Sequence, residues 1–132
     1  METPVNAIEH VHLLMDYLGQ WPSFHDAEVI TLHLDRKHVT LELTLAYVWR
    51  DIASGYGECK SPKCCTATLI FRGVSELHLD DFNEQNVLAE LLIQRLNETE
   101  FTVRLNPVYG VRADFSCRDI EVFSVVPQGV NT

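Results

Sequence analysis

Apolar and polar residues alternate with a period of two over most of this chain. The alternation is clearest on either side of Arg36-Lys37. If these two residues form a turn, Leu34 faces Val39 and every apolar residue of the two segments lies on one face, as a correct register requires. The pattern therefore predicts an antiparallel hairpin between residues 28 and 47, in which Leu32 faces Leu41 and Ile30 faces Leu43.

Extending this register backwards places two carboxylates on the apolar face of the sheet. Glu28 falls opposite Leu45 and Asp26 opposite Tyr47, while His25 points to the other face. A carboxylate on an apolar face is costly unless it is paired or hydrogen-bonded. Asp26 and Glu28 are therefore expected to have partners nearby.

Two segments have the spacing of helices. Thr3 is suited to capping a helix with Pro4 at its first position, and Gly19 is suited to ending it after about four turns. A second, short helix is predicted near residues 83–92, although a strand over 91–96 stays open. Further strands are predicted where a period of two or a β-branched run recurs, over 66–71, 74–79, 101–105, 109–115 and 120–126. The predicted fold is one α+β domain over residues 1–132, with the N-terminal helix packed on a mainly antiparallel sheet.

The composition is that of a soluble globular protein, with 46% hydrophobic and 22% charged residues. No apolar run reaches the roughly 18 residues of a membrane span, and the start of the chain lacks a signal-peptide pattern. A cytoplasmic location is therefore expected. Without secretion, the four cysteines are expected to be free thiols, and the spacing of Cys59, Cys64 and Cys65 differs from that of zinc ribbons.

The net charge of −9 restricts the partners. Nucleic acid is not expected, because phosphate binding requires clustered Lys and Arg. Acidic residues concentrate between residues 74 and 102, where Arg95 is the one base. Such a run is typical of a solvated face, or of a surface complementary to a basic protein. For the second alternative the candidate binding residues are Glu76, Asp80, Asp81, Glu84 and Glu90.

The segment 21–28, between the predicted helix and the hairpin, concentrates aromatic, imidazole and carboxylate groups. A metal site could use His25, Asp26 and Glu28, with His33 or His78. A hydrolytic site would use His25 as base, with Ser23 or Cys117 as nucleophile. On a strand, His25 and Asp26 face opposite sides, which argues against their meeting in one site. The sequence also contains no catalytic or cofactor motif, so no metal and no cofactor are expected.

The same segment has a structural interpretation. Pro22 holds Trp21 in an extended conformation. Trp21 and Phe24 would then fill the gap between helix and sheet, where each buries a large apolar area. This interpretation is compatible with a binding function elsewhere.

The string Trp21-Pro22-Ser23-Phe24-His25-Asp26-Ala27-Glu28-Val29 resembles the opening signature of the immunity protein 50 family. Later stretches are similar to that family as well: Phe71-Arg72-Gly73-Val74, Asp81-Phe82-Asn83 with Asn86-Val87, Tyr109-Gly110 and Phe115-Ser116-Cys117. The resemblance covers most of the chain from Trp21 onward.

The resemblance implies a small cytoplasmic α+β protein that neutralises a toxin, often a nuclease, exchanged between competing bacteria. The partner would be a cognate protein toxin, and no catalytic residues are carried over. We therefore expect a binding protein and not an enzyme, with an acidic surface that blocks a basic toxin. The alternative is a small metal-dependent or hydrolytic enzyme centred on His25, Asp26 and Glu28. A homodimer formed through an exposed sheet edge also stays open.

Overall fold

The structure of this protein, a computed structural model, describes residues 3–45, 47–48, 58–59 and 63–128. Within those residues a short 3-10 helix, Val5–Ala7, precedes the helix α1, His12–Leu18. The strands are β1 Glu28–Leu34, β2 His38–Leu45, β3 Tyr47–Val48, β4 Glu58–Cys59, β5 Cys65–Arg72, β6 Ser75–Asp80, β7 Val87–Arg95, β8 Phe101–Tyr109, β9 Arg112–Cys117 and β10 Asp119–Pro127.

Eight of these strands form one antiparallel sheet in the order β10-β5-β2-β1-β7-β8-β9-β6. The short strands β3 and β4 pair separately with each other. The described fold is therefore mainly β, with a small helical part near the N-terminus. The predicted antiparallel sheet is confirmed, whereas the predicted balance of helix and sheet overestimates the helix.

The sheet consists of two halves that face each other across one hydrophobic core. The first half contains β10, β5, β2 and β1, and the second half contains β7, β8, β9 and β6. Phe71 of β5 and Phe115 of β9 meet edge to face with their ring centroids 5.2 Å apart, although four strands lie between β5 and β9 in the sheet order. The chain crosses directly from β9 to β10 at Arg118, whose N–H donates to the carbonyl of Arg72 at 2.8 Å. Buried residues of both halves and of α1 belong to one core cluster.

The two halves are joined by a narrow junction between β1 and β7. Only Glu28 and Val87 form a regular pair there. Backbone hydrogen bonds of 2.8 Å extend the junction, from the N–H of Asp26 to Leu88, from Leu88 to Ala27 and from Val29 to Asn86. The residues just before β1 therefore determine how one half lies against the other.

Asn86 is the polar centre of this junction, with only 1% of its surface exposed. Its side-chain oxygen accepts hydrogen bonds from the N–H groups of Asn83, at 2.9 Å, and Val111, at 3.0 Å. Its side-chain nitrogen donates to the carbonyl of Asn83 at 2.8 Å. One buried amide thus ties the β6–β7 loop to the β8–β9 turn, and its polar atoms are paired as burial requires.

The predicted hairpin is confirmed in its outer part and shifted in its inner part. Leu34 faces Val39 and Leu32 faces Leu41, as expected. Between Val29 and Thr31 the register changes at a β-bulge, so that Val29 and not Ile30 faces Leu43. A bulge inserts one extra residue into a strand. Val29 accordingly lies in the core, while Ile30 is 43% exposed.

The predicted second helix near 83–92 is wrong, because residues 87–95 form strand β7. Two register shifts, between Val87 and Leu88 and between Leu88 and Glu90, interrupt the pairing of β7 with β8. At each register shift, the alternation of inward-facing and outward-facing residues moves by one position. The buried positions Val87, Leu88 and Leu91 then have a spacing that resembles a helix.

The predicted N-terminal helix is interrupted. Its end is confirmed, since Gly19 has a φ of +89° and its N–H donates to the carbonyl of Met15 at 2.7 Å. Its middle is not helical, because Glu9 pairs with Glu121 on the edge strand β10 and His10 has a φ of +57°. No helix among the described residues is long and apolar enough to cross a membrane.

A cluster of charges fixes this N-terminal segment. The Arg72 guanidinium donates to the carboxylates of Asp119, at 2.9 Å, and Glu121. His10 Nδ1 lies 2.8 Å from the Glu121 carboxylate. These hydrogen bonds, first from Arg72 and then from His10, lower the pKa of Glu121. The cluster connects the N-terminus, β5 and β10.

The cysteines differ in state. Cys65 and Cys117 are buried free thiols, as expected. Cys64 is disulfide-bonded, so the expectation of a free thiol is wrong for this residue. The side chain of Cys59 lies outside the described residues, as do residues 49–57 and 60–62.

Gly110 and Gly19 provide a matched test of the junction. Their φ angles are nearly equal, at +88° and +89°. A Cβ at Gly110 would lie 2.5 Å from the carbonyl oxygen of Gln85, whereas a Cβ at Gly19 would meet nothing within 4 Å. We expect Gly19→Ala to lower the free energy of unfolding by about 1–2 kcal/mol, which is the cost of a left-handed alanine. Gly110→Ala should lose a further ~1–3 kcal/mol by overpacking.

Urea unfolding of both variants beside the wild type measures this difference. Equal losses at the two glycines would show that the junction yields to the added methyl group, and would contradict the tight contact between Gly110 and the β6–β7 loop.

Candidate binding surface

Residues 21–28 form a tight turn that docks on β7. Phe24 and Asp26 both have left-handed backbones, with φ of +64° and +67°. A left-handed phenylalanine is an outlier that the surrounding structure must hold in place. Phe24 is 2% exposed and meets Trp21 edge to face at 5.3 Å between ring centroids. Phe24 belongs to the hydrophobic core and Trp21 packs against that core, while the expected position of the two rings between helix and sheet stays a prediction.

His25 and Asp26 lie on the surface of this turn. The His25 side chain is 62% exposed and that of Asp26 46%, with 3.6 Å between His25 Nε2 and Asp26 Oδ1. The prediction that Asp26 lies on the inward face opposite Tyr47 is wrong, because Tyr47 pairs with Cys59. His25 Nδ1 lies 3.2 Å from the carbonyl oxygen of Ala89, which can only accept, so this nitrogen carries a proton.

Glu28 lies apart from these two residues. The bulge in β1 pairs it with Thr44, so the prediction that it faces Leu45 in the apolar interior is wrong. It lies on the sheet face opposite Val29, yet it is only 6% exposed. Its N–H donates to Thr44 Oγ1 at 3.3 Å, but none of the hydrogen bonds or ion pairs of the described residues engages its carboxylate. Burial raises the pKa of this carboxyl group.

The proposed hydrolytic arrangement is not assembled in the described residues. Ser23 Oγ accepts the backbone N–H of His25 at 3.2 Å, which is the role of a turn-forming hydroxyl. Cys117 lies in the core of β9, where burial raises the pKa of its thiol to about 12. No group of three or more His, Cys, Asp or Glu side chains in the described ranges could hold a metal ion. Contacts join His25 to Asp26 but not to Glu28.

A groove crosses the outer face of the second half. Residues there alternate with core residues, and one row runs Leu92, Arg104, Asp114 and His78 across the four strands. The groove encloses about 370 Å³, and its lining includes Glu76 on the edge strand β6. A sheet face with a groove and mixed polar and apolar groups is suited to binding a macromolecule or a ligand.

The five candidate carboxylates lie on or beside this face. Asp80 and Glu90 point to the outer side of β6 and β7, because their neighbours Leu79 and Leu91 pack in or against the core. Glu76 lines the groove. Asp81 and Glu84 are exposed on the β6–β7 loop. We call the set Glu76, Asp80, Asp81, Glu84 and Glu90 the acidic face.

The charges of the acidic face are largely unpaired within the described structure. Glu90 accepts a hydrogen bond from Asn106 Nδ2 at 2.8 Å. The ion pairs of the described residues include none of its five members. Two cations, Arg104 and Arg112, lie among them on β8 and β9, so the face is acidic in balance but not uniformly.

The comparison with protein families gives a match to the model described as Immunity protein 50, over residues 11–128. The chain belongs to the immunity protein 50 family. No curated protein and no solved structure matches it.

Several residues that carried the resemblance to the immunity protein 50 family have structural roles. Phe24 closes the core beside the turn, and Asn86 and Gly110 hold the β1–β7 junction together. The structural importance of Asn86 was not predicted. A polar residue in a loop gives little sign of burial, and only its place in that resemblance could have singled it out. The acidic face, in contrast, was proposed from charge density alone, and its role in binding stays a prediction.

Phe24→Ala tests the structural interpretation of the turn in this immunity protein 50 family member. We expect a loss of about 3–5 kcal/mol in the free energy of unfolding, the usual cost of removing a buried phenylalanine. Phe123→Ala is the matched control, because Phe123 is 58% exposed, and it should lose less than about 1 kcal/mol. Chemical denaturation measures both, and a small loss at Phe24 would argue against the structural role.

Glu28→Gln tests the buried carboxyl group. A raised folded-state pKa means that folding favours the neutral form, so the contribution of Glu28 to stability is full below its ordinary pKa of 4.5 and is lost as the pH rises through the folded-state value. The variant should therefore gain stability relative to the wild type between about pH 4 and pH 7. Urea unfolding at several pH values measures the gain. A relative loss of stability by Glu28→Gln toward neutral pH would contradict the burial effect.

Proposed function

We propose that this protein binds and blocks a cognate bacterial toxin through the acidic face, without catalysing a reaction. Membership of the immunity protein 50 family supports a toxin partner in general. The choice of surface is supported by one structural observation: the five candidate carboxylates, 14 positions apart in sequence at most, converge on one sheet face and its adjacent loop.

Unpaired surface carboxylates favour a basic partner. A charge that already has an internal partner contributes little to attracting another molecule. Asp80, Asp81 and Glu84 are exposed, and the ion pairs among the described residues do not include them. Complementary charge accelerates the encounter and selects among partners more than it raises affinity. With a net charge of −9, the whole chain adds to this attraction.

A nuclease is the class of toxin that fits this surface best. Enzymes that act on nucleic acids bind phosphates with clustered Lys and Arg, so their active-site surfaces are basic. An acidic protein face that covers such a surface would exclude the nucleic acid. An interface of about 800 Å² per partner is sufficient for a stable complex. Arg104 and Arg112 would then meet isolated acidic groups of the toxin and help to fix the orientation.

Paired charge removal tests the acidic face. Asp81→Asn with Glu84→Gln removes two charges from the face, and Asp16→Asn with Glu42→Gln removes two charges from α1 and β2, outside the second half of the sheet. The probe is the purified product of the reading frame directly upstream of that of this protein, which we expect to encode the toxin. Binding is measured by stopped-flow and titration calorimetry between about 50 and 500 mM salt. We expect the first variant to slow association about tenfold at low salt and to reduce the salt dependence.

Both variants lose the same net charge. A difference between them therefore reports the position of the removed charges. The control variant should associate within about twofold of the wild type. Equal slowing by both variants, or a wild-type affinity that does not change with salt, would exclude the acidic face as the site of electrostatic attraction. An absence of wild-type binding at any salt concentration would remove the proposed function itself.

A further inference from the structure

Two exposed aromatic side chains lie beside the carboxylates of the acidic face. Phe82, 45% exposed, follows Asp81 in the β6–β7 loop. Tyr109, 56% exposed, ends β8 just before the β8–β9 turn at Gly110. Aromatic groups exposed to water are costly to hydrate and gain much from a partner that covers them. These two residues are not needed for the core, to which neither belongs.

The segments that carry the two rings are held next to each other. The side-chain oxygen of Asn86 accepts the N–H of Asn83, next to Phe82, and the N–H of Val111, two residues from Tyr109. Val87 pairs directly with Tyr109 in the sheet. The contact between Gly110 and the backbone of Gln85 leaves no room for a Cβ. Both loops are therefore fixed before any partner arrives, which reduces the ordering cost of binding.

The arrangement of apolar and charged groups matches the anatomy of a protein interface. Hot spots are typically aromatic residues in the centre of a contact, with polar groups around them. Here the two rings are accompanied by Asp80, Asp81 and Glu84 on the same end of the second half. Phe123 is exposed as well, but it lies at a bulge of the edge strand β10, at the opposite end of the sheet order.

We propose that Phe82 and Tyr109 are the apolar anchors of the toxin contact, and that they enter apolar pockets of a basic protein surface whose Lys and Arg side chains meet Asp80, Asp81 and Glu84. This inference rests on the proposed function and specifies which residues supply most of the affinity for the toxin. A second copy of this chain is a poor occupant, because two acidic faces would repel each other.

Alanine substitutions at the two rings test the anchors. The probe is again the product of the upstream reading frame, titrated against wild type, Phe82→Ala, Tyr109→Ala and the control Phe123→Ala. We expect each anchor variant to weaken the dissociation constant about 30-fold or more, mainly through faster dissociation, and the control to change it less than about threefold. Tyr109→Phe keeps the ring and should bind within about threefold of the wild type.

Each outcome separates the two proposals. If the wild type binds and all three alanine variants bind equally well, the anchors are wrong and the proposed function stands. If Phe123→Ala loses as much as the anchor variants, or Tyr109→Phe loses as much as Tyr109→Ala, the assignment of apolar anchors is overturned as well. If the wild type fails to bind, both proposals fall. Thermal unfolding of every variant checks that the exposed substitutions leave the fold intact. Size-exclusion chromatography tests the choice of partner: a dimer of the free protein that Phe82→Ala dissociates would overturn it.

Discussion

The buried amide of Asn86 is the interaction on which the rest of this structure depends. The two halves of the sheet meet over a single regular residue pair, so their relative position is determined by the hydrogen bonds around it. The backbone carbonyl of Asn86 accepts from Val29 on one side, and its side chain holds Asn83 and Val111 on the other. A buried polar group is costly if any partner is lost, and this cost makes the arrangement specific. The contact between Phe71 and Phe115 in the core fits this arrangement, in which the two halves lie face to face.

The strands were predictable from the sequence where their alternation is regular, and the errors occur where it is interrupted. The outer hairpin register followed directly from Leu32 and Leu34. The bulge beside Ile30 could not be inferred. A bulge moves every preceding residue of the strand to the other face of the sheet, and the composition of the segment does not mark where this happens. Two further irregularities in β7 produced an apolar spacing close to that of a helix, which explains the wrong second helix.

The N-terminal helix shows a different limit. Its local signals, including Gly19 as the terminator, were correct for the last turns. The segment around Glu9 gives up helical hydrogen bonds for backbone bonds with Ile120 and Val122, more than 100 residues away. Helix propensity is a weak preference that tertiary contacts readily override. The acidic face was proposed from the sequence, since charge density needs no long-range information, and its role stays a prediction. The aromatic groups beside it were not, because exposure of Phe82 depends on the path of the loop.

Asn86 and Gly110 are buried or confined, whereas the residues around them are exposed. This difference in exposure has an evolutionary consequence. The two residues that determine the path of the loops are buried or sterically confined, whereas Asp81, Phe82 and Glu84 project into solvent from the same loop. Substitutions at exposed positions usually change stability by less than about 0.5 kcal/mol. Under the proposed function, exposed positions outside the family pattern, such as Glu84, can therefore change to suit new partners while the scaffold beneath them stays constant.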